Sequence, residues 1–190
     1  MVKWIFFTSF SALVAIAIYL FFYLGGYKPV QIEEVLYPQI QLIYSIHNGP
    51  YHKIDPGLKE IEAWAQRNDL SCQRTFGEFL DDPAKVDEGR LRSHIGCLVD
   101  KEVSPLPDGY KYRKISSQWV VKAQFQGAPS IGPLKVYPKA KQYIAEKRLK
   151  SSQPPIEIYQ TLADGTFQTE YLFPFDKETE NPVMRESSTY

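Results

Sequence analysis

The sequence predicts an α+β domain: an antiparallel sheet made by a tandem strand–helix–strand–strand repeat, with two helices on one face and a cleft on the other, behind one transmembrane helix. Three observations carry this. Residues 39–100 and 117–175 run through the same order of patterns. Each unit contains one amphipathic helix pattern, enough to cover only one face of its strands. At the front, residues 4–24 form a run of 21 residues without a charge.

That run is long enough to cross a bilayer as a helix. Lys3 precedes it, Gly25-Gly26 ends it, and Trp4, Tyr19, Tyr23 and Tyr27 lie near its ends, where aromatic belts form. A cleaved signal peptide is the rival reading, but its apolar region is shorter and its cleavage site small-x-small. Phe21-Phe22-Tyr23-Leu24 offers no such site, so residues 1–27 are expected to be an uncleaved anchor and the lipid bilayer its partner. Lys3 and the terminal amine against Lys28 alone leave a one-charge bias toward a cytoplasmic N-terminus.

Residues 28–37 are expected to be a linker, and the domain to span 38–176. The first strand pattern alternates Ile40, Leu42, Tyr44 and Ile46 with Gln39, Gln41, Ile43 and Ser45. A helix follows, with Asp55 as N-cap, Pro56 in the first turn and a stripe of Leu58, Ile61, Trp64 and Ala65. Strand patterns then cover residues 73–80 and 91–100. In the second, Ile95, Cys97 and Val99 are expected on the core side, with His94, Gly96 and Leu98 opposite. A glycine within a strand marks a bulge or a close approach.

After a Pro/Gly loop at 104–109 the order restarts. Trp119, Val121, Ala123 and Phe125 alternate with polar neighbours, and a helix is predicted over 134–149, with Leu134, Tyr137, Tyr143 and Ile144 toward the core. Strands over 156–162 and 166–175 flank the turn Ala163-Asp164-Gly165. Residues 177–190 are polar and read as a disordered tail.

The chain has 190 residues with 22 basic and 22 acidic side chains, so nothing in its charge points to nucleic acid. No Cys-x-x-Cys is present, and His47, His52 and His94 are scattered, so no metal or cofactor is expected. A haem would need His94 or His47 as ligand. Cys72 and Cys97 are read as a loop thiol and a buried core thiol, with pairing open in an oxidising compartment.

The chemistry concentrates at Pro154-Pro155-Ile156-Glu157-Ile158-Tyr159. The prolines exclude helix, and the period-2 pattern puts Glu157 and Tyr159 on one face and the isoleucines on the other. Either Glu157 is solvated on an open face or it lies in an aromatic cleft. With a second half-domain alongside, Glu157, Tyr159 and Gly96 are expected to look into that cleft, with Tyr44, Trp119, Tyr137 and Tyr171 as walls. Thirteen tyrosines in the chain weaken the case for any single one.

Short motifs then coincide in order: His47-Asn48-Gly49-Pro50-Tyr51, Leu80-Asp81-Asp82-Pro83, Arg92-Ser93-His94-Ile95-Gly96-Cys97-Leu98-Val99, Ile156-Glu157-Ile158-Tyr159 and Tyr171-Leu172-Phe173-Pro174-Phe175. Together they resemble the GyrI-like, or AraC-type effector-binding, small-molecule domain over residues 38–176. The resemblance implies a tandem repeat fold, a cleft for drug-like and often cationic aromatic compounds, and an acidic recognition group at the place of Glu157. Some members of that family hydrolyse strained compounds, which would make Glu157 a general acid or base. A membrane helix ahead of such a domain is also similar in layout to the animal testis-expressed reticulophagy receptors, which implies a possible protein partner. Three functions follow: a membrane-tethered small-molecule binder, an interaction module, or a hydrolase.

Overall fold

Why a nine-strand fold closes on itself is visible in two short links. The computed structural model describes residues 2–151 and 153–177. The order is α1 (Val2–Tyr23), β1 (Val30–Tyr37), β2 (Ile40–Asn48), α2 (Asp55–Arg67), β3 (Arg74–Phe79), β4 (Arg92–Val99), β5 (Lys111–Ile115), β6 (Gln118–Gln126), α3 (Gly132–Glu146), β7 (Lys150–Ser151), β8 (Ile156–Thr161) and β9 (Phe167–Asp176). The main sheet is antiparallel with order β1-β6-β9-β8-β3-β4-β2-β5, and the two-residue β7 pairs with β9. The α+β class, the antiparallel sheet and the repeat order read from the sequence are all present.

Besides the two-residue β7, two strands of the main sheet escaped that reading. The expected linker at 28–37 is largely β1, paired with β6 from Val30↔Phe125 to Tyr37↔Gln118. β5 pairs with β2 at the other edge. Each repeat is therefore strand–strand–helix–strand–strand, and each leading strand is exchanged: β1 enters the first repeat but pairs with the second, and β5 does the reverse. β8 and β3 meet at the centre, where the repeats join.

β1 and β2 stand six places apart, about 29 Å in a flat sheet. Only Pro38 and Gln39 link them, a reach of at most about 11 Å. The same holds for β5 and β6, joined by Ser116 and Ser117. So the sheet curls until its edges approach. Its inner face is filled by Tyr37, Ile40, Leu42, Phe76, Leu98, Val120, Ile156, Ile158 and Leu172, drawn from strands right across the sheet.

Both helices pack on the outer face. α2 buries Ile61 and Ala65 against Ile43, Ile95, Cys97 and Val99, and Gly57 lets it approach Ile95. α3 buries Val136 and Ala140 against Val121, Ala123, Phe125 and Tyr171. Leu134, expected in the core, is 75% exposed, because the stripe of α3 runs through Gly132, Val136 and Ala140 instead. Asp55 is the first helical residue rather than the cap. Pro138 is accommodated inside α3.

Cys72 and Cys97 are joined in a disulfide with Cα atoms 5.4 Å apart, not the two free thiols expected from sequence. The bridge ties Cys72, two residues ahead of β3, to Cys97 within β4. Residues 3–23 of α1 form a helix long and apolar enough to cross a membrane, with none of it buried against the domain. The tail expected over 177–190 falls, from residue 178 onward, outside the described residues.

Candidate functional site

Strand register decides which side chains share the face of Glu157. Its partners are Tyr171 on β9 and Gly77 on β3. Gly77 in turn lies opposite Ile95, which packs on α2. Glu157 therefore lies on the helix-bearing face, beneath the space between α2 and α3. Ile156 and Ile158, one residue away on either side, fill the inner core.

Glu157 is 4% exposed. Tyr137, reaching down from α3, donates to its Oε1 at 2.9 Å, and Tyr159 donates to Oε2 at 3.0 Å. Among the described residues no lysine, arginine or histidine forms an ion pair with it. Burial pushes its pKa up to about 7, although both phenol hydrogen bonds pull the other way. Burial also raises the phenols of Tyr137, Tyr159 and Tyr171, and the charge of Glu157 adds to each. All three stay protonated at any ordinary pH, and Tyr137 and Tyr159 are the donors to Glu157.

Tyr171 completes the enclosure. Its ring is fully buried and meets Tyr137 edge-on at 6.0 Å between centroids. Among the described residues its hydroxyl has no hydrogen-bond partner of ordinary geometry, although Thr169 lies near enough to influence it, and a Cβ at Gly132 would stand 2.0 Å from it. So the first residue of α3 is glycine where this phenol needs room. A buried acid with neutral partners and a neighbouring unpaired hydroxyl can receive a cation, or exchange a proton near neutrality.

Of the seven residues singled out by sequence, four meet here: Glu157, Tyr159, Tyr137 and Tyr171. Three do not. Tyr44 and Gly96 pair with each other in register on the inner face, so the single cleft expected for Glu157 and Gly96, opposite the helices, is not formed. A Cβ on Gly96 would lie 1.9 Å from the Ile43 carbonyl oxygen, so the close approach its glycine permits is that of β2. Tyr44 carries Arg113 over its ring and lies 4.6 Å from His94. Trp119 lies beside Phe175, about 13 Å along β9 from Tyr171, with Lys177 over its indole.

Sequence reasoning missed Gly77, the glycine directly opposite Glu157. A Cβ there would meet the Phe79 ring at 2.9 Å. Its signal was present, a glycine at the alternate position of Arg74-Thr75-Phe76-Gly77-Glu78-Phe79, but Gly96 drew the inference first. His94 and His47 contact Glu78 and the Pro50 carbonyl respectively. A polar depression of about 410 Å3, lined by Gln41, Gln73 and Arg74 among others, opens near the disulfide, away from Glu157.

Comparison with known proteins gives the family and the fold. Residues 30–176 match the family described as GyrI-like small molecule binding domain. A DNA gyrase inhibitor of Pectobacterium carotovorum is 34% identical over 67 residues, an alignment spanning 35% of this chain and 44% of that protein. Among solved structures, the EcmrR C-terminal domain superposes with a TM-score of 0.62 at 14% identity, covering 78% of this chain and 98% of that one. SAV2435 bound to tetraphenylphosphonium gives a TM-score of 0.51 at 15% identity, over 78% and 94%. A hydrolase from Listeria innocua gives 0.52 at 13% identity, over 77% and 92%. At such identities the structural likenesses establish the shared fold.

Proposed function

The chain belongs to the GyrI-like small molecule binding domain family, and from that premise we propose that it is a membrane-tethered receptor for an amphipathic aromatic small molecule, with a cationic centre held against Glu157. The observation that carries this is one carboxylate, 4% exposed, whose partners are two phenols and no cation. A cation placed there gains the charge partner Glu157 lacks, and the faces of Tyr137, Tyr159 and Tyr171 supply cation–π contact. A fold relative of this chain is known bound to tetraphenylphosphonium, a ligand of that chemistry. Because Tyr137 closes over the carboxylate, binding moves its phenol aside and α3 acts as the yielding wall.

Tethering is supported by α1, whose apolar span is not buried against the domain. Lys3 ahead of the span and the Cys72–Cys97 bridge both favour a domain on the non-cytoplasmic side. Thiol labelling of intact and permeabilised cells, before and after reduction, checks this side.

The test uses the full chain in nanodiscs, titrated with tetraphenylphosphonium and with neutral triphenylphosphine oxide. In Glu157→Gln the affinity for the cation should fall at least about tenfold, a loss of about 1.4 kcal/mol, while the neutral compound binds as before. Equal losses for both compounds would remove the carboxylate's charge from recognition.

A carboxyl titrating near pH 7 beside Tyr159 also has acid–base capacity. Turnover of an electrophilic compound that disappears in Glu157→Gln, with binding of neutral ligands retained, would establish the hydrolytic reading.

A further inference from the structure

The end of α1 is joined to the domain without slack. The Leu24 carbonyl accepts a hydrogen bond from the Ala128 N–H at 3.0 Å, and Gly127 donates to the Phe167 carbonyl at 2.9 Å. Backbones touch at this point. A Cβ on Gly127 would lie 2.8 Å from the Leu24 oxygen, and one on Gly25 would lie 3.1 Å from the Gln126 oxygen. Lys135, in the first turn of α3, donates to the carbonyls of Gly26 and Lys28. The last turn of the anchor is thus fastened to the β6–α3 turn by hydrogen bonds from two elements.

Exposed apolar side chains lie at the same place. Beyond α1, the large apolar residues left exposed among the described residues are Tyr27 at 57%, Leu36 at 56%, Ile46 at 48%, Leu134 at 75% and Phe167 at 51%. Three of these five, Tyr27, Leu134 and Phe167, lie at the junction, whereas Leu36 and Ile46 lie elsewhere on the sheet. Tyr27 meets Phe22 of the anchor in a tilted ring contact with centroids 5.4 Å apart, Leu134 precedes the Lys135 that binds Gly26, and Phe167 carries the carbonyl bonded to Gly127. An uncovered leucine and phenylalanine where a spanning helix leaves the bilayer match the apolar-to-polar gradient of the membrane interface.

We infer that the domain is seated on the bilayer, with Leu134 and Phe167 inserted in its interface beside the end of α1. This rests on the reading of α1 as a spanning helix, and adds a second, surface contact made by the folded domain. One consequence concerns the ligand site: Tyr137 lies less than one helical turn beyond Leu134 on α3. The wall that closes over Glu157 then begins at the membrane surface, so a lipophilic ligand partitioned into the interface has a short path to the carboxylate.

The experiment is nitroxide labelling of the full chain in phosphatidylcholine nanodiscs, through single substitutions Leu134→Cys, Phe167→Cys, Val14→Cys and Glu60→Cys, the native cysteines being protected by their bridge. Relative accessibility to oxygen and to a water-soluble nickel complex reports depth. Val14→Cys should read as bilayer interior and Glu60→Cys, on exposed α2, as water. Labels at 134 and 167 should favour oxygen several-fold over the label at 60. If 14 reads as bilayer while 134 and 167 match 60, the seating is overturned and the anchor stands. If 14 itself reads as water, the anchor fails and the seating with it.

Discussion

Glu157 and Glu78 are buried to the same extent, 4% exposed each, and lie on neighbouring strands one register step apart. They face opposite sides of the sheet and meet opposite fates. Glu78, on the inner face, accepts hydrogen bonds from His94 Nδ1 at 2.7 Å and Arg113 Nη2 at 2.8 Å. Glu157, on the outer face, has among the described residues only Tyr137 and Tyr159. Phenols hold a carboxylate in place but do not offset the cost of burying its charge, whereas a guanidinium does. Depth alone therefore does not identify a site. The acid whose partners are incomplete does.

The largest effect is expected where the inner face is tightest. Gly96→Ala drives a methyl into the Ile43 carbonyl, a backbone atom that cannot turn away, and should cost about 4 kcal/mol or abolish folding. Gly77→Ala, opposite Glu157, meets only the edge of the Phe79 ring and should cost about 1–2 kcal/mol. Urea titrations followed by tryptophan fluorescence compare the two. Equal losses would erase the contrast between a rigid inner face and a yielding outer one.

Next is Arg113→Met, which leaves Glu78 with His94 alone and should lower stability by about 3 kcal/mol. A loss below about 1 kcal/mol would show that Glu78 does not depend on its cation.

Glu157→Gln should do the reverse. Its folded pKa stands at about 7 against an ordinary 4.5, so the folded state disfavours the charged form. The wild type therefore carries no penalty below pH 4.5 and the full penalty above 7. Thus the variant should match wild type near pH 4.5 and exceed it by about 3 kcal/mol at pH 8. A variant that is less stable at pH 8 would mean that the charged form of Glu157 is favoured by folding.

The smallest effect concerns binding by the wild type. Affinity for an aromatic cation should rise by up to about tenfold per pH unit below 7 and level off above it, because Glu157 must lose its proton to pair. A flat profile, measured beside that of a neutral ligand, would disconnect the raised pKa from recognition.

How far these features were legible differs by residue. Glu157 and Tyr159 could be put on one face because strand periodicity is local. Tyr137 could be named as a candidate from its helix, but its hydrogen bond to Glu157 depends on where α3 crosses β8. Gly96 and Gly77 look alike in sequence, each a glycine inside a strand. Which one flanks the acid depends on pairings between strands distant along the chain. β1 was hidden because Val30–Tyr37 alternates poorly, and its place is settled by β6, whose first residue is 81 positions past the end of β1. The disulfide was equally out of reach, since spacing does not bring Cys72 to β4.

By itself the sequence determined the apolar span, the doubled order of strands and helices, and the side chains that share a face within each strand. These follow from composition and from periods of 2 and 3.6 residues, which are properties of neighbours. The tertiary structure alone decided which face meets the helices, how the leading strands exchange, and that Glu157 finds phenols while Glu78 finds a guanidinium. Those outcomes depend on register and curvature, set by pairings between segments far apart in the chain.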